Sequence, residues 1–264
     1  MLALLGVLVV VLAIACIALG KNVMRIKRDK RRSGLGKPWP IRRVRVEEFD
    51  VAFRPGPLGP TRDAEVSFIG KFQVGGVAGG TSDFEAWILA VLARRARVAF
   101  EFGTATGKTT YLMARNLPRG GRVVTITLAP EQAAAYADAA GDSTAAGQWA
   151  RDESAFTTFL YSGSDVEGQI TQLFGDSKTF DESPYASQCD LIFVDGSHAY
   201  SYVMSDSRKA LRMLAPGGVV LWHDYNGPDR AADVYRALNE LSAELPLLHI
   251  FGTTLVAYRR PASE

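Results

Sequence analysis

Val98-Ala99-Phe100-Glu101-Phe102-Gly103-Thr104-Ala105-Thr106-Gly107, followed by Lys108-Thr109-Thr110-Tyr111-Leu112-Met113-Ala114, is the stretch that decides the fold. Its first five residues are mostly apolar, as in a strand buried on both faces of a parallel sheet. Gly103 and Gly107 then allow a tight turn with close backbone approach to a ligand. The residues after them read as a helix, whose free N–H groups and positive dipole end face whatever the turn receives. Strand, glycine turn and helix together predict a cradle for a nucleotide or cofactor.

Two chemistries compete for that cradle. Gly107-Lys108-Thr109 looks like the end of a phosphate-binding G-x-x-x-x-G-K-[ST] loop. Only Thr104, Ala105 and Thr106 separate the two glycines, one residue fewer than that loop needs, and Phe102 stands where its first glycine should be. The other pattern, Glu-x-Gly-x-x-x-Gly, resembles the first motif of class I S-adenosylmethionine (SAM) methyltransferases. In that motif the acid and the turn receive the methionine part of the cofactor. Glu101 suits it and has no role in a phosphate loop. An ordinary βα turn of a Rossmann-like fold is the plainer alternative.

The chain has 264 residues, 47% of them hydrophobic, enough for one large domain with appendages. Its net charge of +2 conceals an uneven layout. Residues 21–45 hold eleven Lys/Arg against Asp29 alone, which leaves nineteen basic and twenty-seven acidic residues elsewhere, a balance of −8. An acidic globule on a basic neck argues against nucleic acid as a partner.

Residues 2–20, LALLGVLVVVLAIACIALG, carry no charge and suffice to span a bilayer. No basic residue precedes them, as a cleaved signal peptide would require, whereas Lys21, Arg25, Lys27, Arg28, Lys30, Arg31 and Arg32 follow. The positive-inside rule predicts a single-pass membrane anchor over 1–20 with the remaining chain in the cytoplasm. The basic segment 21–60 also suits contact with anionic lipid. Its part from 33 on is rich in Pro and Gly, fitting either a tether or a strap lying on the domain. The folded domain is expected over 61–264. Two cysteines, Cys16 and Cys189, imply no disulfide.

Ser82-Asp83-Phe84-Glu85 is a capping box opening a helix to about Arg95. Strands are expected at 98–102, 123–128, 169–174, 190–195 and 219–224, with helices at about 108–116, 201–214 and 229–243. Segments 246–251 and 254–258 can pair as an antiparallel hairpin. The α/β alternation predicts a doubly wound Rossmann-like sheet with a terminal antiparallel strand pair. Ligands of such sheets bind at the carboxyl ends of the strands, where Glu101, Asp176, Asp195 and Asp224 fall.

Further motifs occur in order: Ile170-Thr171-Gln172-Leu173-Phe174-Gly175-Asp176-Ser177, Phe193-Val194-Asp195-Gly196-Ser197-His198-Ala199-Tyr200, Asp206, Leu214-Ala215-Pro216-Gly217-Gly218 and Trp222-His223-Asp224-Tyr225. From about 65 to 258 the chain closely resembles class I SAM-dependent methyltransferases with the F-V-D-G-S-H signature, related to metal-dependent O-methyltransferases of small molecules and sugars. The resemblance implies that Glu101, Gly103, Thr104 and Gly107 hold the methionine end of SAM. It implies that Asp176 meets the adenine amino group, with Asp195 a further cofactor contact. A divalent metal such as Mg²⁺ would sit on Asp195, Asp224 and His223, where it would fix an acceptor hydroxyl and lower its pKa. His198 or His223 could take the proton, with Asp195 part of the catalytic set. Asn226 is a spare oxygen ligand, and Asp206 reads as a surface helix residue.

One position departs from the pattern. The second strand should end in an acid that grips the cofactor ribose, and Thr127 stands there, able to make a neutral hydrogen bond only. Glu131 is the nearest substitute. The enzymatic reading is therefore a membrane-anchored methyltransferase acting on a hydroxylated small molecule, sugar or lipid-linked acceptor. A binding protein that keeps the fold without turnover and a phosphate-loop NTPase are the alternatives.

Overall fold

The computed structural model describes residues 16, 19–21, 23–24, 39–54, 64–67, 80–133, 136 and 139–262. The expected span over 2–20 lies, apart from Cys16, Leu19 and Gly20, outside the described residues. Among the described residues no helix is long and apolar enough to cross a membrane.

Eight strands are formed: β1 (Arg42–Val44), β2 (Val98–Phe102), β3 (Arg122–Thr127), β4 (Ile170–Phe174), β5 (Cys189–Val194), β6 (Leu214–Trp222), β7 (Leu248–Ile250) and β8 (Val256–Arg259). They make one sheet in the order β1-β7-β8-β6-β5-β2-β3-β4. Strands β2 to β6 run parallel, and β8 is inserted antiparallel between β6 and β7. The doubly wound sheet and its closing strand pair are thus as the alternation of apolar runs and turns indicates.

Side chains along β2 alternate between two cores, one on each face of the sheet. Phe100 and Phe102 pack with Val124, Ile126, Ile192 and Trp222 on one side. Ala99 faces Val123, Leu191, Phe193 and the helix Asp83–Ala93 on the other. That helix begins with the expected capping box, the Ser82 side chain accepting from Glu85 N and Glu85 accepting from Ser82 N.

Residues 39–54 behave as a strap rather than a tether, so the folded body begins upstream of the expected boundary near Thr61. Strand β1 pairs in parallel with β7 at the sheet edge. Ile41, Val44, Val46 and Phe53 are buried, because their spacing lets a short strand and two short helical turns cover that edge with apolar side chains. Trp39 packs against Tyr225, Tyr235 and His249. Strand β6 starts at Leu214, five residues before the expected 219, since Cys189↔Leu214 already pairs ahead of a register shift. The polar region 131–162 supplies helices Pro130–Ala133 and Thr144–Glu153.

Candidate active site

The residues singled out for chemistry gather at the carboxyl ends of the parallel strands, but they fall into three separate environments. The first is a buried knot under the glycine turn. Glu101 is 0% exposed and accepts hydrogen bonds from Thr109 Oγ1 at 2.5 Å, from Thr125 Oγ1 at 2.8 Å and from the Thr110 hydroxyl. Burial pushes its carboxyl up to about 7 against the pull of those three hydroxyls, and the charge of Asp195 adds to the rise. Thr104, also buried, lies 2.8 Å from Thr125 Oγ1 and accepts from Gln172 Nε2. Glu101 and Thr104 therefore tie the turn to its helix and to β3.

Both glycines have positive φ, and each stands where a Cβ would collide with another segment of the chain. A Cβ on Gly103 would sit 2.1 Å from the Asp195 carbonyl oxygen, and one on Gly107 would sit 2.8 Å from the Tyr161 ring. Leu160 N donates to the Thr106 carbonyl at 2.9 Å, so the segment bearing Phe159 and Tyr161 roofs the turn. Lys108 is buried with Nζ donating to the Thr81 carbonyl at 3.0 Å, and the Thr109 hydroxyl is committed to Glu101. A phosphate loop needs that lysine, that hydroxyl and an open turn. None is free here, and the NTPase reading fails on geometry.

The second environment is an open cleft whose lining includes Gly103, Thr127, Tyr136, Ser177, Ser197 and Asp206. Tyr136 stacks on Tyr202 at 5.0 Å and its hydroxyl lies 2.7 Å from Ser197 Oγ. Thr127 takes its expected place on this wall, whereas Glu131 is exposed and outside the lining. Asp176 is also outside it: Oδ2 accepts from the Tyr202 hydroxyl at 3.1 Å and Oδ1 from Lys178 N at 2.8 Å. Its neighbour Ser177 faces the cleft instead.

Asp206 is 1% exposed, contrary to its expected place on the helix surface. Burial, reinforced by the charge of Asp176, pushes its carboxyl up to about 7, and its Oδ1 has no hydrogen-bond partner. The signal was present in the spacing. Asp206 follows Tyr202 and Val203 and precedes Ala210 by helical intervals of three or four, all on the buried face of Tyr200–Met213.

The third environment is a cluster of two histidines and two aspartates. His223 Nδ1 lies 3.0 Å from Asp195 Oδ1 and 3.1 Å from Asp224 Oδ2, near in distance but without a hydrogen bond. His198 Nε2 is 2.8 Å from Asp224 Oδ2. By simple alternation His223 and Asp224 would point to opposite faces. They converge because the chain turns sharply after β6, with Asp224 in the left-handed region at φ +61°. Asn226, the expected spare ligand, donates through Nδ2 to Asp224 Oδ1 at 3.0 Å and so braces that turn.

Behind His223 stands Glu85, whose second role the sequence reading missed. Besides capping its helix it accepts from Thr254 N at 2.7 Å and lies 3.5 Å from His223 Nε2. Burial alone would raise the Glu85 carboxyl, but His223, Ser82 and Thr254 hold it well below the usual range. Burial would likewise depress His223, yet the charges of Asp195 and Asp224 lift it well above an ordinary histidine. Burial raises Asp195, while His223 and His198 keep Asp224 well below the usual carboxylate range in spite of its own burial.

Asp195, His198 and Asp224 offer ligand atoms within 4.8 Å of one another, a set able to hold a metal ion. The expected ligand set named His223 where this grouping has His198. His223 Nδ1 lies beside both carboxylates but is not part of this grouping.

Residues 100–225 match a family described as a methyltransferase domain. No curated protein matches the chain. Among solved structures the chain is similar to the O-methyltransferase TomG of Streptomyces achromogenes, involved in tomaymycin synthesis and solved with SAM. Identity is 21% over 70% of this chain and 82% of that one, with a TM-score of 0.48. It is similar also to the SAH-bound methyltransferase PaMTH1 of Podospora anserina, at 16% identity over 69% and 80% with a TM-score of 0.49. An O-methyltransferase of Bacillus cereus in complex with SAH matches at 21% identity over 70% and 84%, with a TM-score of 0.47. At these identities and TM-scores no detail of chemistry passes from those proteins to this chain.

Proposed function

We propose that the chain, whose residues 100–225 match a methyltransferase domain, is a class I SAM-dependent methyltransferase that transfers a methyl group to a hydroxyl oxygen of its acceptor. The observation that carries this reading is the adjacency of a general-base candidate to the cofactor cleft. Ser197, which lines the cleft, precedes His198, and His198 is held by Asp224.

The residues of the cleft fit an adenosine-bearing cofactor by their chemistry. Thr127, Ser177 and Ser197 present hydroxyls, Tyr136 an aromatic wall, and Asp206 an unpartnered buried oxygen. When bound, SAM supplies an electrophilic methyl group on a sulfonium. The two histidines divide the remaining work. His223 is buried against two carboxylates and so keeps its proton, which lets Asp195 and Asp224 stay together without repulsion. His198 is 23% exposed at its side chain and within reach of an acceptor. It takes the hydroxyl proton, and Asp224 stabilises the imidazolium that results. Orientation of the acceptor oxygen towards the methyl group then supplies much of the rate.

A divalent cation is a second reading, favoured by the grouping of Asp195, His198 and Asp224. Mixed oxygen and nitrogen donors suit Mn²⁺, Fe²⁺ or Zn²⁺ better than Mg²⁺. The acceptor we propose is a hydroxylated small molecule, sugar or lipid-linked compound. The uncharged run 2–20 and the basic residues after it support a single-pass anchor with the domain in the cytoplasm, where SAM is made.

Titration calorimetry of the full-length protein with SAM, S-adenosylhomocysteine and ATP tests the reading. Binding of both adenosyl sulfur compounds and not of ATP is the expected result. No binding of either would leave a fold kept for another purpose, with Thr127 as the first residue to suspect.

A further inference from the structure

Four large aromatic side chains of the folded body stand exposed among the described residues: Phe84 at 38%, Trp149 at 57%, Phe174 at 51% and Phe251 at 60%. All four lie at the carboxyl end of the sheet. Phe174 is the last residue of β4 and Phe251 directly follows β7, a strand with the same sense as β6. Phe84 opens the helix whose next residue, Glu85, reaches His223. The Trp149 ring is 6.2 Å from that of His198. Singly scattered apolar residues need no explanation, but exposed aromatics gathered on one end mark an interaction surface. Val51, at 59%, is the exposed large hydrophobic at the opposite end, beside Asp50 and its partners Arg95 and Arg259.

The spread of these residues indicates what covers them. Six inter-strand steps separate β7 from β4 in the sheet. At about 4.8 Å each, Phe251 and Phe174 stand roughly 30 Å apart, farther than one small acceptor reaches. A flat partner meets them together. The chain also enters the body at this end: the Trp39 ring is 5.0 Å from that of Tyr225, two residues past His223, and it packs under Gly227. Residues 21–38 alone join Trp39 to the uncharged run 2–20, and even fully extended they reach no more than about 65 Å. Arg43 lies over the Phe251 ring at 5.8 Å, which pairs a cation with an exposed aromatic as interfacial segments do.

We propose that the rim formed by Phe84, Trp149, Phe174 and Phe251 docks on the headgroup layer of an anionic lipid bilayer, so that the mouth of the catalytic cleft faces the membrane. This inference rests on the membrane-anchor part of the reading above. Aromatic rings seated at headgroup depth hold a protein in one orientation, and basic residues beside them add electrostatic attraction.

The test uses full-length protein bearing Cys16→Ser, since Cys189 is buried. Phe251→Cys, Phe174→Cys, Trp149→Cys and the control Val51→Cys are each labelled with an environment-sensitive fluorophore. Each is reconstituted with phosphatidylcholine–phosphatidylglycerol vesicles with and without nitroxide-bearing lipid. Flotation first shows whether the protein is membrane-bound, and failure to float overturns both the anchor and the docking. If the protein floats, the three rim labels should shift to the blue and lose most of their emission to nitroxide lipid, while the Val51 label stays water-like. Rim labels that stay water-like would leave the anchor standing and overturn the docking. Rim labels shielded from lipid nitroxide and from a water-soluble quencher alike would mean that a second copy of the chain covers the face, which also overturns it.

Discussion

Glu101→Gln isolates the knot beneath the glycine turn. The wild-type carboxyl is raised from 4.5 to about 7 by complete burial. An acid with a raised native pKa holds its proton in the folded state after the unfolded chain has released it, so stability falls as pH rises between the two values and levels off above the native one. Moving the carboxyl from 4.5 to about 7 corresponds to about 3 kcal/mol lost across that window. Glutamine fills the same space, accepts through its oxygen, and carries no ionisation cost, while the threonine hydroxyls can reorient towards its amide. Urea unfolding of full-length wild-type and variant protein in mild detergent, followed by tryptophan fluorescence, gives the difference in stability at each pH. Taking that difference removes the contribution of every other titrating group. The variant should gain up to about 3 kcal/mol on wild type between about pH 5 and about pH 8. Parallel pH profiles would refute the raised pKa. A variant less stable by about 2 kcal/mol at about pH 8 would show instead that an ionised Glu101 anchors the three hydroxyls by charge-assisted bonds.

Thr127→Asp should tighten SAM binding by about 1–2 kcal/mol by placing a charged acceptor on the cleft wall, measured by calorimetry; unchanged affinity would place the ribose contact elsewhere. Gly103→Ala should destabilise the fold by at least about 1–3 kcal/mol in urea unfolding, because its Cβ would lie 2.1 Å from the Asp195 carbonyl in a positive-φ conformation. His198→Ala should cut kcat, with the rising low-pH limb of the pH–rate profile lost and SAM affinity kept. Activity that disappears reversibly with a chelator would assign the hydroxyl activation to a cation held by Asp195, His198 and Asp224.

The order of strands and helices was legible in the sequence because the apolar runs, the capping box at Ser82 and the glycine turns act over a few residues each. So was the meeting of strand ends at one edge, which follows from parallel crossovers alone. The strap at 39–54 was only half legible, since its composition fits a free tether as well as a covered sheet edge, and the choice belongs to β7.

Which polar residues face the cleft was a tertiary decision. Glu101 and Thr104 sit in a motif that resembles a cofactor contact, yet they turn into a knot of threonines contributed by β3 and the following helix. Asp206 shows its buried helix face in its spacing from Tyr202, Val203 and Ala210, but that this face lines the cleft came only from the packing. Glu85 reads as a capping residue until β6 delivers His223 and the last hairpin delivers Thr254. Short-range patterns encode backbone geometry, because steric and hydrogen-bond preferences operate between neighbours in the chain. The protonation and partners of a buried side chain depend on groups a hundred or more residues away, as Glu85 and His223 show, and only packing brings those together.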